Sequence, residues 1–368
     1  MIKVPQSSPW LGVEEKKALT EVVEEEWITE GPKSQEFTSK LKELMGAPFG
    51  VFAPNGTLAL YLGFLALEIG EGDEIIVPDA TFIASATSVV LAGAVPVFAE
   101  IKKDTFQIDI SKCEELISEK TKAIMPVHLF GSSVDMDAVM AFAKKHNLKV
   151  IEDAAQGINV KYNGKHVGTI GDIGCFSFFA DKTITTGEGG FVVTNDEKIY
   201  DKLMFLRNQG RKDRGSFVHH EIGFNFRITD FQAAMGLAQL KKLPEICERK
   251  KRIMGWYVEG LKGISEIEFI KMEKGSNQIP FRVVLISPDA KPLADHLEKN
   301  EVQPRSFFYP LHKQPCFADG EKARFMRENY YVNAMYGYDH CVLLPVFPTI
   351  SKEQVDYVCE TIRKFYSK

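Results

Sequence analysis

The sequence predicts an α/β protein, with a large domain built on a mainly parallel mixed sheet and a smaller C-terminal α/β domain. From Gly50 onward, short apolar runs alternate with segments of helical length, which is the pattern of βαβ units and of a parallel sheet covered on both faces. The chain of 368 residues also exceeds the size at which a single hydrophobic core stops growing, about 250–300 residues. We therefore expect a large domain over 1–245, a small domain over 246–368, and an N-terminal segment that packs on the small domain.

The elements of the large domain follow from hydrophobic periodicity and from the turn-forming residues between periodic segments. Strands are predicted at 50–53, 74–77, 95–98, 123–127, 149–151, 172–179 and 190–194. Helices are predicted at 13–25, 35–44, 58–67, 82–91, 111–118, 135–146 and 229–243. The last of these is expected to end before Pro244, because a proline disfavours the helical conformation in the residue that precedes it.

A charged segment over 245–261 predicts a separate helix that leads into the small domain. The remaining pattern again alternates, as expected for a small α/β domain. Strands are predicted at 267–270, 281–286 and 305–309, and helices at 289–298 and 352–365.

Composition and charge argue against several classes of function. The net charge of -5 is small, and no basic stripe or block of like charge occurs, so neither nucleic acid nor an anionic membrane surface is an expected partner. Since no run of about 18 apolar residues occurs and the N-terminus has no apolar segment, we expect a soluble, cytoplasmic protein.

The six cysteines are scattered and never spaced as Cys-x-x-Cys, which favours reduced thiols over a disulfide framework or a zinc site. They are Cys113, Cys175, Cys247, Cys316, Cys341 and Cys359. His219 and His220 are adjacent, so both cannot face one metal ion from a strand or helix, and we interpret them as loop residues. No metal site is predicted.

One lysine has an unusual position. The segment 174–193 begins and ends with apolar runs that are predicted to be buried strands, and Lys182 lies in the turn of small residues between them. Burial would lower the pKa of its amine and leave the amine nucleophilic, as Schiff-base chemistry requires. An ordinary surface lysine in a turn is the alternative.

An acidic residue and a helix N-terminus are candidate partners for that lysine. Asp153 follows an apolar run at the carboxyl end of a predicted parallel strand, where open α/β sheets place ligand-contacting groups. A buried carboxylate needs a positive partner, and the protonated ring nitrogen of pyridoxal phosphate is such a partner. Gly56 and Thr57 open the helix after the first sheet strand, where free backbone N–H groups would bind a phosphate.

These residues belong to a set of motifs that resembles the DegT/DnrJ/EryC1/StrS family of nucleotide-sugar aminotransferases, in order, from Trp10 to the last predicted helix. The motifs are NGT at 55–57, Thr81-Phe82, EDAAQ at 152–156, GDIGCFSFF at 171–179, KTITTGEGG at 182–190 and GFNFRITDFQAAMGLAQL at 223–240. The resemblance implies the aspartate aminotransferase-like fold (fold type I) and pyridoxal 5'-phosphate as cofactor. Within the family, the sequence is most similar to members that form the amino sugar perosamine on a GDP carrier.

The resemblance implies roles around the cofactor. Lys182 would bind the cofactor covalently and then move a proton as acid and base, while Asp153 would hold the proton of the ring nitrogen. Phe82 would lie on the face of the ring, although a phenylalanine after a strand is more often part of a core. Gln156 would bond the ring hydroxyl, and Ser177 would join the phosphate site.

The resemblance also implies a second subunit and a set of substrate contacts. Asn225 resembles the asparagine that reaches the phosphate from the neighbouring subunit, which implies a homodimer with shared active sites. For Trp27 a hydrophobic anchor of the N-terminal helix is the alternative, and for His312 a structural role. The implied substrate contacts are Trp27, Glu188, Arg227, Tyr309 and His312.

Two positions depart from the pattern of the perosamine-forming members. Ala180-Asp181 stands where those members commonly have Gly-Asn before the lysine, and Ser306 replaces a proline before the aromatic segment that leads to His312. The first departure bears on the local geometry at Lys182 and on substrate preference.

The implied activity is amino transfer from L-glutamate to the C4 ketone of a nucleotide-linked 4-keto-6-deoxyhexose, with GDP-4-keto-6-deoxy-D-mannose as the favoured acceptor. TDP- and UDP-linked ketosugars are alternatives, since substrate choice rests on loops that one sequence does not decode. A deoxysugar dehydratase is disfavoured because members with that activity carry histidine where this chain has Lys182. A non-catalytic regulator that binds pyridoxal phosphate is a further alternative, although no basic helix-turn-helix is visible.

Overall fold

The computed structural model describes residues 3–212, 215, 217–318, 320, 322–326 and 328–367. The helices are α1 (Val13–Glu24), α2 (Pro32–Met45), α3 (Gly56–Ala66), α4 (Ala84–Leu91), α5 (Met136–His146), α6 (Glu197–Arg207), α7 (Asp230–Gly260), α8 (Ala290–Lys299), α9 (Val332–His340) and α10 (Lys352–Tyr366). The strands are β1 (Phe49–Ala53), β2 (Glu74–Pro78), β3 (Val95–Ala99), β4 (Thr121–Ile124), β5 (Lys149–Asp153), β6 (Lys161–Tyr162), β7 (Lys165–His166), β8 (Ile173–Ser177), β9 (Gly190–Thr194), β10 (Glu268–Phe269), β11 (Ser276–Asn277), β12 (Val283–Ile286), β13 (Arg305–Ser306) and β14 (Cys341–Leu344).

The central sheet has the strand order β1-β9-β8-β5-β4-β2-β3. β9 is antiparallel to both of its neighbours, whereas the other neighbouring strands pair in parallel. The predicted mainly parallel mixed sheet is therefore confirmed. Because β2, β4, β5 and β8 run in the same direction, their carboxyl ends meet at one edge, where open α/β sheets form ligand sites.

Successive residues of the central strands enter two hydrophobic clusters, one on each face of the sheet. Val51 and Val77 pack in the cluster that includes α3 and α4, whereas Phe52 and Ile76 pack in the cluster that includes α2 and α5. This alternation is the period of two that a strand imposes on its side chains. A slip of one residue would exchange the two faces, so the burial pattern fixes the register and hence the position of each strand end.

The helix α7 corrects one prediction. We expected one helix to end before Pro244 and another to begin at 245, but the structure has one helix of 31 residues with Pro244 inside it. A proline inside a helix costs about 3 kcal/mol, and here the helix packs on α1 and α2 at one end and on α10 at the other. This tertiary packing outweighs the local preference. The domain limit at 245 falls inside α7 and stays a prediction.

A second correction concerns the predicted helix at 111–118. The structure has two short 3-10 turns there, Ile110–Lys112 and Glu114–Leu116. The Asp109 carboxylate accepts bonds from the N–H and the hydroxyl of Ser111. Such local bonds compete with a continuous α-helix.

The C-terminal part is built on the antiparallel sheet β10-β12-β14-β13. Its hydrophobic cluster includes side chains of α8 and α10 and also Val4, which forms a parallel bridge with Val302. The sequence analysis did not identify α6, α9 or β14. Among the helices that the structure describes, none combines the length and apolarity needed to cross a bilayer.

Candidate active site

Lys182 lies in the loop between β8 and β9, close to the carboxyl ends of the parallel strands. Its N–H donates to the carbonyl of Phe179 (2.9 Å), which closes a turn, and its side chain is only 16% exposed. Burial lowers the pKa of the Lys182 amine, and the charges of Arg282 and Arg305 lower it further. The side chain is therefore not that of an ordinary surface lysine, and a larger share of it carries a free amine.

Asp153 is the last residue of β5, and its carboxylate is buried. Asp153 Oδ2 accepts a bond from Ser85 Oγ (2.7 Å), and Oδ1 accepts one from the N–H of Ala155 (3.1 Å). Burial raises the pKa of Asp153, and these two bonds and the charge of Lys182 act against that rise. The carboxylate is thus oriented by two neutral donors while the two predicted residues, Asp153 and Lys182, influence each other electrostatically.

Sequence analysis missed Ser85. This residue lies on α4, is fully buried, and has Thr81 Oγ1 at 3.1 Å from its hydroxyl. A buried hydroxyl requires a partner, so a serine on a buried helix face was the available signal. The partner, Asp153, is 68 positions away in the chain, and no local pattern could identify it.

The N-terminus of α3 contacts β8 at the predicted phosphate site. Asn55 caps the helix by accepting a bond from the N–H of Leu58 (2.9 Å), which leaves the N–H groups of Gly56 and Thr57 directed beyond the helix end. Gly56 lies so close to Ser177 that an added Cβ would be 2.8 Å from Ser177 Cβ. The structure therefore brings Gly56, Thr57 and Ser177 together, and glycine is required for that approach.

The two remaining predicted cofactor residues of this region differ in exposure. Phe82, two residues before α4, is 61% exposed, so it does not belong to the core. Gln156 is buried, and its Oε1 accepts a bond from the N–H of Phe130 (2.7 Å). Its amide nitrogen is the group that would be directed to a ligand.

Two of the predicted substrate residues lie together in one cavity. Trp27 and Arg227 line a cavity of about 1130 Å³ whose lining does not include Lys182. Trp27 is exposed, donates to the carbonyl of Glu30 (3.3 Å), and packs its ring against Gly31. Asn225 is also exposed, and its Oδ1 accepts a bond from Arg227 Nε (2.6 Å).

Two further predicted substrate residues, Glu188 and Tyr309, are exposed as well. Glu188 lies near the N-terminus of α7, where its carbonyl accepts a bond from Gln232 Nε2 (2.7 Å). The Tyr309 ring packs edge-on against Tyr338, with 5.1 Å between ring centroids. Neither side chain has a buried hydrogen-bond partner within the described residues, so both are accessible from solvent.

His312 is instead held rigidly. Its Nδ1 lies 2.7 Å from Asp79 Oδ2, its N–H donates to Asp79 Oδ1 (2.8 Å), and its ring stacks on Tyr331. His312 Nε2 is buried and has no hydrogen-bond partner among the described residues. Asp79 directly follows β2, just as Asp153 ends β5, so the same signal of an acid at a strand end could have identified it.

Comparison with known proteins places these residues in a wider context. The profile of the DegT/DnrJ/EryC1/StrS aminotransferase family matches residues 9–363. GDP-perosamine synthase of Escherichia coli O157:H7 is 39% identical over 99% of each chain. UDP-N-acetyl-3-dehydro-alpha-D-glucosamine 3-aminotransferase of Acidithiobacillus ferrooxidans is 37% identical over 91% of this chain and 89% of the relative. The structure of the putative sugar aminotransferase Spr1654 of Streptococcus pneumoniae in its PMP-form matches with a TM-score of 0.93 and 27% identity over 99% of both chains.

Proposed function

The chain belongs to the DegT/DnrJ/EryC1/StrS aminotransferase family, and from this premise we propose that it transfers an amino group from L-glutamate to the C4 ketone of a nucleotide-linked 4-keto-6-deoxyhexose. The family is that of sugar aminotransferases dependent on pyridoxal phosphate, so the protein is an enzyme. GDP-4-keto-6-deoxy-D-mannose is the proposed acceptor, supported by the 39% identity to a relative named GDP-perosamine synthase. The observation that carries the proposal is the buried amine of Lys182 in the loop between β8 and β9, within the electrostatic influence of Asp153.

The residues present fit pyridoxal 5'-phosphate. The carboxylate of Asp153 has only neutral hydrogen-bond donors among the described residues, so a protonated ring nitrogen would supply the charge partner that a buried carboxylate needs. The N-terminus of α3 offers the N–H groups of Gly56 and Thr57 to a phosphate, and Ser177 adds a hydroxyl. Phe82 offers an exposed aromatic face to a flat ring.

When bound, pyridoxal phosphate supplies an aldehyde that captures amines and a ring that withdraws electrons from the adjacent carbon. Lys182 Nζ would hold the aldehyde and then accept and return a proton, a role that its lowered pKa favours. Asp153 would hold the proton of the ring nitrogen. Gln156 would orient the ring through its amide nitrogen.

We propose a homodimer in which Asn225 completes the phosphate site of the partner. In one chain, Asn225 and Arg227 lie on an exposed surface and are bonded to each other. Phe217 and Ile222 in the same segment are 88% and 89% exposed. Large apolar side chains at such exposure indicate a surface that another protein covers.

The acceptor is tested by supplying GDP-, TDP- and UDP-linked 4-keto-6-deoxyhexoses with L-glutamate and measuring the amino sugar by mass spectrometry. We expect the GDP-linked sugar to give the largest kcat/KM. A larger kcat/KM with the TDP- or UDP-linked sugar would contradict the proposed acceptor and identify that sugar as the substrate. The A. ferrooxidans relative, whose name specifies a UDP-linked sugar and a 3-amino product, makes the UDP series and the position of the new amine necessary parts of the test.

The donor and the non-catalytic alternative are tested by absorbance. A protein loaded with pyridoxal phosphate should lose its yellow colour when L-glutamate is added and regain it when the ketosugar follows. A dehydratase should release a sugar product that contains no new nitrogen. A regulator without turnover should keep its colour throughout.

A further inference from the structure

Three cationic side chains surround the ring of Phe281, next to the loop that carries Lys182. The guanidinium carbon of Arg282 lies 4.2 Å from the ring centroid, Lys182 Nζ 4.9 Å and Lys250 Nζ 5.5 Å. Lys182 and Lys250 also line one small cavity of about 10 Å³ together with Asp181. The proposed active-site lysine is therefore part of a compact, buried group of charges.

Asp181 and Arg282 form an ion pair inside this group. Arg282 Nη2 donates to Asp181 Oδ2 (2.6 Å), and the Arg282 side chain is only 3% exposed. The other oxygen, Asp181 Oδ1, is buried, lies 3.8 Å from Lys182 Nζ, and has no hydrogen-bond partner in the described part of the chain. One carboxylate thus contacts Arg282 through one oxygen and faces Lys182 with the other.

This arrangement gives Asp181 and Arg282 opposite effects on the same amine. A carboxylate 3.8 Å away stabilises the ammonium form of Lys182, which cannot act as a nucleophile. The guanidinium, which stays charged at any ordinary pH, disfavours the ammonium form. The carboxylate of Asp181 thus acts against the free amine that burial favours, and Arg282 offsets part of that effect.

The pair also joins two parts of the fold. Asp181 precedes Lys182 in the loop after β8, whereas Arg282 directly precedes β12 of the C-terminal sheet.

We propose that Arg282 and Asp181 act together as positioning residues for Lys182: Arg282 binds and offsets the Asp181 carboxylate, which weakens the pairing of that carboxylate with the Lys182 amine and holds the amine between the two sheets. The role of Lys182 in catalysis rests on the proposed function, but the coupling of these three groups does not.

Other charged side chains also face Lys182, and they must be the same in all variants that a test compares. Lys250 approaches from α7, and it is 2% exposed with Nζ donating to the carbonyl of Pro280 (3.2 Å). The charged groups around Lys182 are Asp153 at the end of β5, Asp181 in its own loop, Lys250 on α7, Arg282 before β12 and Arg305 on β13.

The test is a cycle of Asp181→Asn, Arg282→Met and the double variant in the protein without cofactor. Reductive methylation with formaldehyde and a mild reductant modifies unprotonated amines, so peptide mass spectrometry at several pH values gives the midpoint for Lys182. Asp181→Asn should move the midpoint down and Arg282→Met should move it up, each by roughly one pH unit. In the double variant, the midpoint for Lys182 should return to within a few tenths of a pH unit of the parent value.

A double variant that stays displaced as far as Arg282→Met, or midpoints that Asp181→Asn and Arg282→Met move in the same direction, would overturn the proposal. Arg282→Lys preserves the positive charge and should keep the midpoint of the parent, which separates charge from shape if Arg282→Met folds poorly. A pH titration of the absorbance of the protein loaded with pyridoxal phosphate should show the same order of midpoints. If the apo cycle gives this order but no coloured complex forms, the proposed function fails while the charge coupling stands.

Discussion

The two halves of the candidate active site differ in how complete they are within one chain. Asp153 and Ser177 end their strands and Lys182 lies in the loop after β8, and they contact Ser85, the N-terminus of α3 and the carbonyl of Phe179 respectively. The predicted contacts Trp27, Asn225 and Arg227 are exposed, and Trp27 and Arg227 line a cavity whose lining does not include Lys182. We infer that one chain builds the surroundings of Lys182 and Asp153, whereas under the proposed homodimer the exposed Asn225 would complete the phosphate site of the partner. The predictions below test that division.

The largest effect is expected at Lys182, because its amine is the only group proposed to move the proton. Lys182→Ala should lower the rate of amino-sugar formation by roughly a thousandfold or more. The rate is measured by mass spectrometry of the product. Lys251→Ala, a change at an exposed lysine on α7, serves as the control and should leave the rate unchanged. An active Lys182→Ala variant would contradict the assigned role.

In the buried half of the site, a buried lysine should also make the free energy of unfolding depend on pH, which we do not expect of the exposed half. Burial lowers the pKa of Lys250 to about 7, well below that of a lysine in an unfolded chain. Between pH 7 and about 10 the unfolded chain then binds a proton that the folded chain does not, so the free energy of unfolding should rise with pH by up to about 4 kcal/mol. Below pH 7 both states are protonated, and this contribution is constant.

Urea unfolding at pH 7 and pH 9 tests this difference. Lys250→Met should be more stable than the parent at pH 7 and should lose most of the pH dependence. Lys251→Met is the matched control, since its lysine is solvent-exposed and should titrate alike in both states. An equal pH slope in the parent and in Lys250→Met would show that Lys250 is charged in the folded protein.

A smaller loss is expected at Asp153. Asp153→Asn keeps the shape of the side chain and removes its charge, so the affinity for pyridoxal phosphate should fall by roughly a hundredfold. Quenching of protein fluorescence by the cofactor gives the Kd. Asp356→Asn on the exposed face of α10 is the control. An unchanged Kd would place the ring nitrogen elsewhere.

The smallest effect tests the exposed half directly. If Asn225 serves the partner's site, mixing Lys182→Ala with Asn225→Ala chains produces mixed dimers that have one intact site each. Random exchange should then restore about a quarter of the parent activity, although each variant alone is nearly inactive. Activity is measured after unfolding and refolding the mixture. No recovery, with mixed dimers confirmed by native mass spectrometry, would show that each site is built from one chain.

The sequence predicts those features of the fold and the site that a local pattern of residues determines. The alternation of strand-length and helix-length segments predicted the sheet, and the acid at the end of β5 identified Asp153 as a candidate site residue. Each of these signals lies within a few neighbouring residues of the sequence. The partners Ser85 and Arg282 were not identified, since they reach Asp153 and Asp181 across 68 and 101 positions. The helix break at Pro244 was wrong for the same reason: the packing that maintains α7 comes from distant helices.

The unbroken α7 has a mechanical consequence. A helix of 31 residues is a rod about 46 Å long, and it passes without interruption from α1 and α2 at one end to α10 at the other. A continuous helix transmits a rotation of one end to its other end. A rotation of α10 with the C-terminal sheet would therefore be passed along α7 to α1 and α2, which lie on either side of the Trp27 turn.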